Sequence, residues 1–397
     1  MIDLLIEWLT GIFYDSFKFF GETEALAIAK DRQRVFSEFL KWEEGFNADK
    51  LAILDKGIKN SPFITQVENY PERLTQKPGL AIAGAPSYPA VGELPFIDEQ
   101  GLEFLHLDIK QACVCIGGTN EGPFKARWLG RNALDKEEFW STTKILPILN
   151  IVCSINEDIS ACAVRGDGKS FRFLDLVEDI VTYEEKIASS NALSAMMKRF
   201  QTYAGLETWL KGITGNQNAT FRGLYGEAPL IAAPELVEQD RVLLTAAPET
   251  EKGDNSVTTY DLTRIISMVG WHYHLPVSAQ LPGMKWNNLK LIVPALGKDT
   301  ARYIDVAIEK LGIPKSISNL IILSKLGFGY TKLRKRTEIT YTCFIQFRYK
   351  GRLKSVAMAL RGAKALGDLN REAVEIDARM AAEVTEILRR LVTGELK

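Results

Sequence analysis

The sequence predicts an α+β fold: a five-stranded antiparallel sheet flanked by helices, with a helical lobe and an N-terminal helical extension. Three observations predict it. A strand-like hairpin falls between residues 105 and 130, helix-periodic segments fill about 141 to 310, and three more strand-like segments precede a long closing helix. Strands on both sides of a helical block would join in one sheet, with the closing helix covering one face.

Composition bounds the rest. At 397 residues the chain is long enough for one large or two ordinary domains. Its 46% hydrophobic and 25% charged residues are ordinary for a globular protein. A net charge of −1 gives no field that would draw nucleic acid or an anionic membrane. Five cysteines (Cys113, Cys115, Cys153, Cys162, Cys343) suit free thiols in a reducing compartment, and the expected placement is cytoplasmic.

Taken in order, residues 1–60 read as a helical extension. Apolar residues at 2, 5, 9, 12 and 13 share one helical face. Asp3 and Glu7 stand where an export signal needs base, and the uncharged stretch Trp8 to Tyr14 is too short to span a bilayer. Packing on the body, on a second subunit or on another partner fits better than a membrane surface, since the polar positions are poor in Lys and Arg. Glu22 to Gly57 adds one or two polar helices with Phe36, Phe39, Leu40 and Trp42 as contacts. Residues 61–100 hold six prolines and read as an extended surface connector. The main domain is 101–397.

Leu105 to Gly117 alternates as a strand, with Ala112, Val114 and Ile116 on one face and Cys113 and Cys115 on the other. The turn 117–122 and Phe124 to Gly130 complete a hairpin. Helices are expected from Ser141 to Ser154, Phe171 to Tyr183, Asn191 to Gln201 and Ala204 to Ile213. Gly215 to Asn255 reads as loop. Thr258 or Thr259 caps a helix to Val269, and Thr300 to Leu311 forms another, stopped by Gly312. Strands follow at Leu320–Tyr330, Glu338–Arg348 and Arg352–Leu360, with a turn at Tyr349-Lys350-Gly351, then a helix from Asn370 to Val392.

Ser141 is the only serine with a lysine three residues on, Lys144. On a helix the two share a face, and an amine beside a hydroxyl is one way to activate a poor nucleophile. This order, with Ser-x-x-Lys opening the first helix after a hairpin, resembles the serine β-lactamase and penicillin-binding family, over roughly Leu105 to the C-terminus. The family pattern adds Ser-x-Asn and Lys-Ser/Thr-Gly on a strand. Ser189-Ser190-Asn191 matches the second part. Continuing the preceding helix without a gap would instead place Glu184-Glu185-Lys186 there, and Ser154-Ile155-Asn156 sits too close to Ser141. Lys325-Leu326-Gly327 matches the third part with Leu326 where Ser or Thr is usual; Lys310-Leu311-Gly312 reads as a helix end.

The resemblance implies acyl transfer. Ser141 would attack an amide or ester of a small or peptide-like substrate, with Lys144 taking its proton. Ser189 would relay a proton to the leaving group, Asn191 would position Lys144, and Lys325 would hold a substrate carboxylate. Backbone N–H groups of Ser141 and Phe328, beside Gly327, would bind the oxyanion. Glu227 is the candidate for activating the deacylating water. A catalytically inactive member that binds a ligand or protein is the alternative, favoured by Leu326.

No cofactor or metal is expected. His272-Tyr273-His274 has only His106 as a further histidine, and zinc usually needs three or four protein ligands. Cys113 and Cys115 fit a packed core face. The basic turn Lys332-Leu333-Arg334-Lys335-Arg336 reads as solvated, with room for an anionic partner near Lys325.

Overall fold

The computed structural model describes residues 22–79, 84–119 and 122–396. The amphipathic helix expected over 1–20 and the tip of the turn expected at 117–122 lie outside these residues. Among the described residues no helix is long and apolar enough to cross a membrane.

A six-stranded sheet organises the domain. Its strands are β1 (Ile97–Asp98), β2 (Ile109–Gly118), β3 (Lys125–Arg131), β4 (Ile317–Thr331), β5 (Arg336–Tyr349) and β6 (Arg352–Lys364). Their order across the sheet is β1-β3-β2-β6-β5-β4. The five expected strands are antiparallel, and the two-residue β1 adds a parallel edge beside β3. The β5–β6 turn is two residues long, with Lys350 at φ 48° and Gly351 at φ 76°. Positive φ at both positions is the primed turn that matches strand twist.

Both faces of the sheet are covered, which is why most residues of its long strands are buried, including polar ones such as Lys325 and Glu338. Ala112, Val114 and Ile116 join one core, while Cys113 and Cys115 join the other. On the first face lie the closing helix and two others: α1 (Arg32–Trp42), α8 (Tyr303–Lys310) and α9 (Leu369–Thr393). On the second face α6 (Thr259–Trp271) packs against β2, β5 and β6. Thr258 and Asp261 form a capping box that starts α6. The lobe continues through α2 (Ile145–Ser154), α3 (Phe173–Thr182), α4 (Ser190–Lys198), α5 (Tyr203–Thr214) and α7 (Trp286–Leu296).

Three expectations need correction. Residues 61–99 are not a surface connector: short helices at Ile64–Asn69 and Tyr70–Leu74 bury Val67, Tyr70 and Leu74, and Tyr88 is buried further on. The prolines hid this, because Pro is tolerated at a helix start, as Pro71 is here. The 215–255 stretch contains strands of two to five residues, paired in two small sheets. Elements that short show no readable period. Helix α7 was not expected, since it carries Pro294 near its end.

Candidate active site

The lobe opens with a 3₁₀ turn, Trp140–Lys144, that runs straight into α2. Trp140 takes φ 48°, a left-handed conformation uncommon for a bulky side chain. Sheet contacts hold it there. The Thr142 and Thr340 hydroxyls lie 2.6 Å apart, and Thr340 Oγ1 donates to the Phe139 carbonyl at 2.9 Å. Trp140 Nε1 donates to Glu338 at 3.0 Å. The turn also lies directly on β4. A Cβ at Gly327 would stand 2.8 Å from the Phe139 carbonyl oxygen, and one at Gly329 would stand 2.5 Å from the Trp140 ring. Glycine at both positions is what lets strand and turn approach. Leu326, just before them and on the opposite face of β4, points into the core under α9.

Lys144 is fully buried and donates from Nζ to Ser190 Oγ and Asn191 Oδ1, each at 2.7 Å. Burial, reinforced by the charge of Lys325, pulls its pKa down to about 6, against the opposing pull of Glu227 and Glu185. At neutral pH Lys144 is therefore mostly a free amine. Its two N–H groups match the two acceptors, which leaves a lone pair.

Ser189, expected to relay a proton to the leaving group, is engaged with other partners. Its hydroxyl caps α4 by accepting from Ala192 N at 3.1 Å, and it donates to Glu227. The serine that meets Lys144 is its neighbour, Ser190. Asn191 sits as expected, bridging Lys144 to Glu227 through an Nδ2 donation of 2.9 Å. Those two hydrogen bonds hold the Glu227 carboxyl below its ordinary pKa.

Lys325 is also fully buried, and it does not present its ammonium to the cleft as a carboxylate receptor would. Its Nζ donates to Tyr183 Oη at 2.5 Å and lies 3.9 Å from the centre of that ring. Asp299 Oδ1 is 4.0 Å away on the other side. Burial lowers Lys325 to about pKa 7, with Asp299 opposing. Burial pushes the Tyr183 phenol well above the usual range, against the opposing pull of the neighbouring Ser141 hydroxyl, and Tyr183 Oη donates to the Leu326 carbonyl at 3.3 Å. The result is a line of groups from the buried Asp299 and Lys325 to the half-buried Tyr183 and Ser141 at the cleft.

Tyr183 was missed in the sequence. It is the residue that ends α3, at φ 56°. The gapless continuation of that helix pointed one residue past it, so position was the available signal.

Beside Ser141 lies a cleft of about 450 Å³. Tyr183, Ser189, Ser190, Asn191, Glu227 and Phe328 line it with Ser141, as do Trp140, Tyr225, Glu138 and Glu185. Trp140, Tyr183 and Glu185 all have positive φ and all line this cleft. Non-glycine strain of this kind clusters at functional sites.

The 332–336 turn exposes Lys332, Leu333 and Lys335, as expected, while its two arginines are half-buried. Arg334 bonds Glu138 and Glu338, and Arg336 bonds Glu338 and Glu137, so these guanidiniums are already paired within the chain. His272 stacks on Trp286 and His274 bonds the Leu74 carbonyl. Among the described residues no group of three His, Cys, Asp or Glu is placed to hold a metal.

The topology decides the comparison: a hairpin and three C-terminal strands share one sheet, and the lobe between them opens on Ser-x-x-Lys facing β4. The fold is β-lactamase-like. Solved structures to which the chain is similar include β-lactamases. The TLA-3 extended-spectrum β-lactamase is 12% identical, covering 73% of this chain and 94% of its own, at a TM-score of 0.46. A class A β-lactamase from Bacteroides cellulosilyticus is 10% identical over 74% and 99%, at 0.43. One from Mycobacterium abscessus is 14% identical over 73% and 98%, also at 0.43. No family model and no curated protein matches the sequence. The case for the site rests on its own geometry.

Proposed function

We propose that the chain is a serine hydrolase or acyltransferase that forms an acyl-enzyme on Ser141 from an ester or amide. The observation that supports it most is the position of the Tyr183 hydroxyl, which shares the cleft wall with Ser141 and is hydrogen-bonded to the buried Lys325. A tyrosine so placed can pass a proton to a leaving group in the cleft and recover one from the lysine behind it.

In this reading Ser141 Oγ attacks the carbonyl carbon, and its proton goes to the lone pair of Lys144. The oxyanion is met by the backbone N–H groups of Ser141 and Phe328, both on the cleft wall. As the tetrahedral intermediate collapses, Tyr183 gives its proton to the departing oxygen or nitrogen, and Lys325 restores it. Glu227, deprotonated and exposed to the cleft, takes a proton from the water that attacks the acyl carbon. Ser141 leaves with the proton carried by Lys144, and the proton taken by Glu227 returns through solvent and Tyr183 to Lys325, which restores the starting charges.

Leu326, which supplies no hydroxyl to a substrate, favours a second reading: a β-lactamase-like module that binds a ligand or protein without turnover. Intact-mass spectrometry separates the two. The chain is exposed to a penicillin and to a neutral p-nitrophenyl ester, with Ser141→Ala as control. The enzyme reading expects a mass increment from the ester that vanishes in the variant. No increment with either reagent moves the assignment to the binding module.

A further inference from the structure

The cleft has a charge and a surface that the family resemblance did not imply. Its lining includes Glu138, Glu185 and Glu227 and contains no Lys, Arg or His. Glu138 is ion-paired with Arg334 at 3.0 Å, but Glu185 is exposed and forms no salt bridge among the described residues. Three half-buried rings, Trp140, Tyr225 and Phe328, share the wall with these carboxylates. Lys325, the cation that would receive an anionic substrate, is sealed beneath Tyr183.

Aromatic faces beside carboxylates form a receptor for a positive charge where no lysine already lies over the ring; Lys144 and Lys198 lie 5.5 and 5.3 Å from the Tyr225 ring centre, which leaves Trp140 as the open face. Ring quadrupoles attract cations, and the carboxylates add a Coulombic term. We infer that the cleft takes a substrate bearing an ammonium group, and that Glu185 with the Trp140 ring anchors it. The inference rests on the reading of this cleft as the substrate site. It reverses the charge preference that a carboxylate-binding lysine would impose. Glu227 contributes to the field but is left to its role beside Asn191.

The test uses three p-nitrophenyl esters of one chain length ending in trimethylammonium, tert-butyl or carboxylate. The first two match in shape and differ in charge. Their anilide counterparts, bound to Ser141→Ala and followed by tryptophan quenching, report affinity without any chemistry. The trimethylammonium member should bind about tenfold more tightly than the tert-butyl member, with the carboxylate weakest. Glu185→Lys should cut that ratio to about one or below. Equal or tighter binding of the carboxylate member, or an unchanged ratio in Glu185→Lys, overturns the inference. Charge-selective binding with no ester turnover and no adduct would sink the hydrolase reading and leave this inference standing.

Discussion

The turn that carries Lys144 and the strand that carries Lys325 hold the same side chain at the same depth. Both lysines are fully buried and both are pulled far below an ordinary lysine pKa. Their neighbours separate them. Lys144 faces two neutral acceptors and another cation, so it has reason to stay unprotonated. Lys325 faces Asp299 and a phenol, so it has a counter-charge and a proton acceptor. Burial makes a lysine available as a base, and the partner it is buried with decides which step it serves.

Removing the base should have the largest effect. Lys144→Met keeps the length and removes the lone pair, and acylation of Ser141 should slow by about 10³-fold, as general-base losses do. Stopped-flow release of p-nitrophenol measures it. If Lys325→Met costs as much in that same step, the two lysines are not distinct in role.

Next comes the bridge. Tyr183→Phe keeps the ring over Lys325 and removes the hydroxyl that neighbours Ser141. Turnover should fall by about 10²-fold for amides and less for activated esters, whose leaving groups need no proton. An equal loss on both substrate classes would make Tyr183 a packing residue.

The two adjacent serines give a finer contrast. Ser190→Ala removes an acceptor of Lys144 and should lower activity, with a changed pH profile. Ser189→Ala removes the α4 cap and should cost about 1 kcal/mol of stability, read by urea denaturation. A pH profile that moves with Ser189 and not with Ser190 would reverse the assignment.

These predictions mark where the sequence was readable. The five long strands, α6 with its threonine cap and α9 were legible because each carries a sustained period or a capping signal. The Ser141–Lys144 pair and Asn191 were legible as a spacing. Ser190 and Tyr183 were not, because a seven-residue connection, 183–189, separates α3 from α4 and shifts which side chains return to the site. The identity of Asp299 as the counter-charge of Lys325 was out of reach. It lies 26 residues earlier in a stretch assigned no element, and only the fold brings the two together.

The most direct test of the account is the pH dependence of Ser141 acylation by a neutral p-nitrophenyl ester. Lys144 must be unprotonated to act, and its pKa is about 6. The rate should be flat above neutrality and fall about tenfold per pH unit below 6, and that limb should disappear in Lys144→Met. A rate that keeps climbing toward pH 10 would show an ordinary lysine at position 144, and the proposed activation of Ser141 would be wrong.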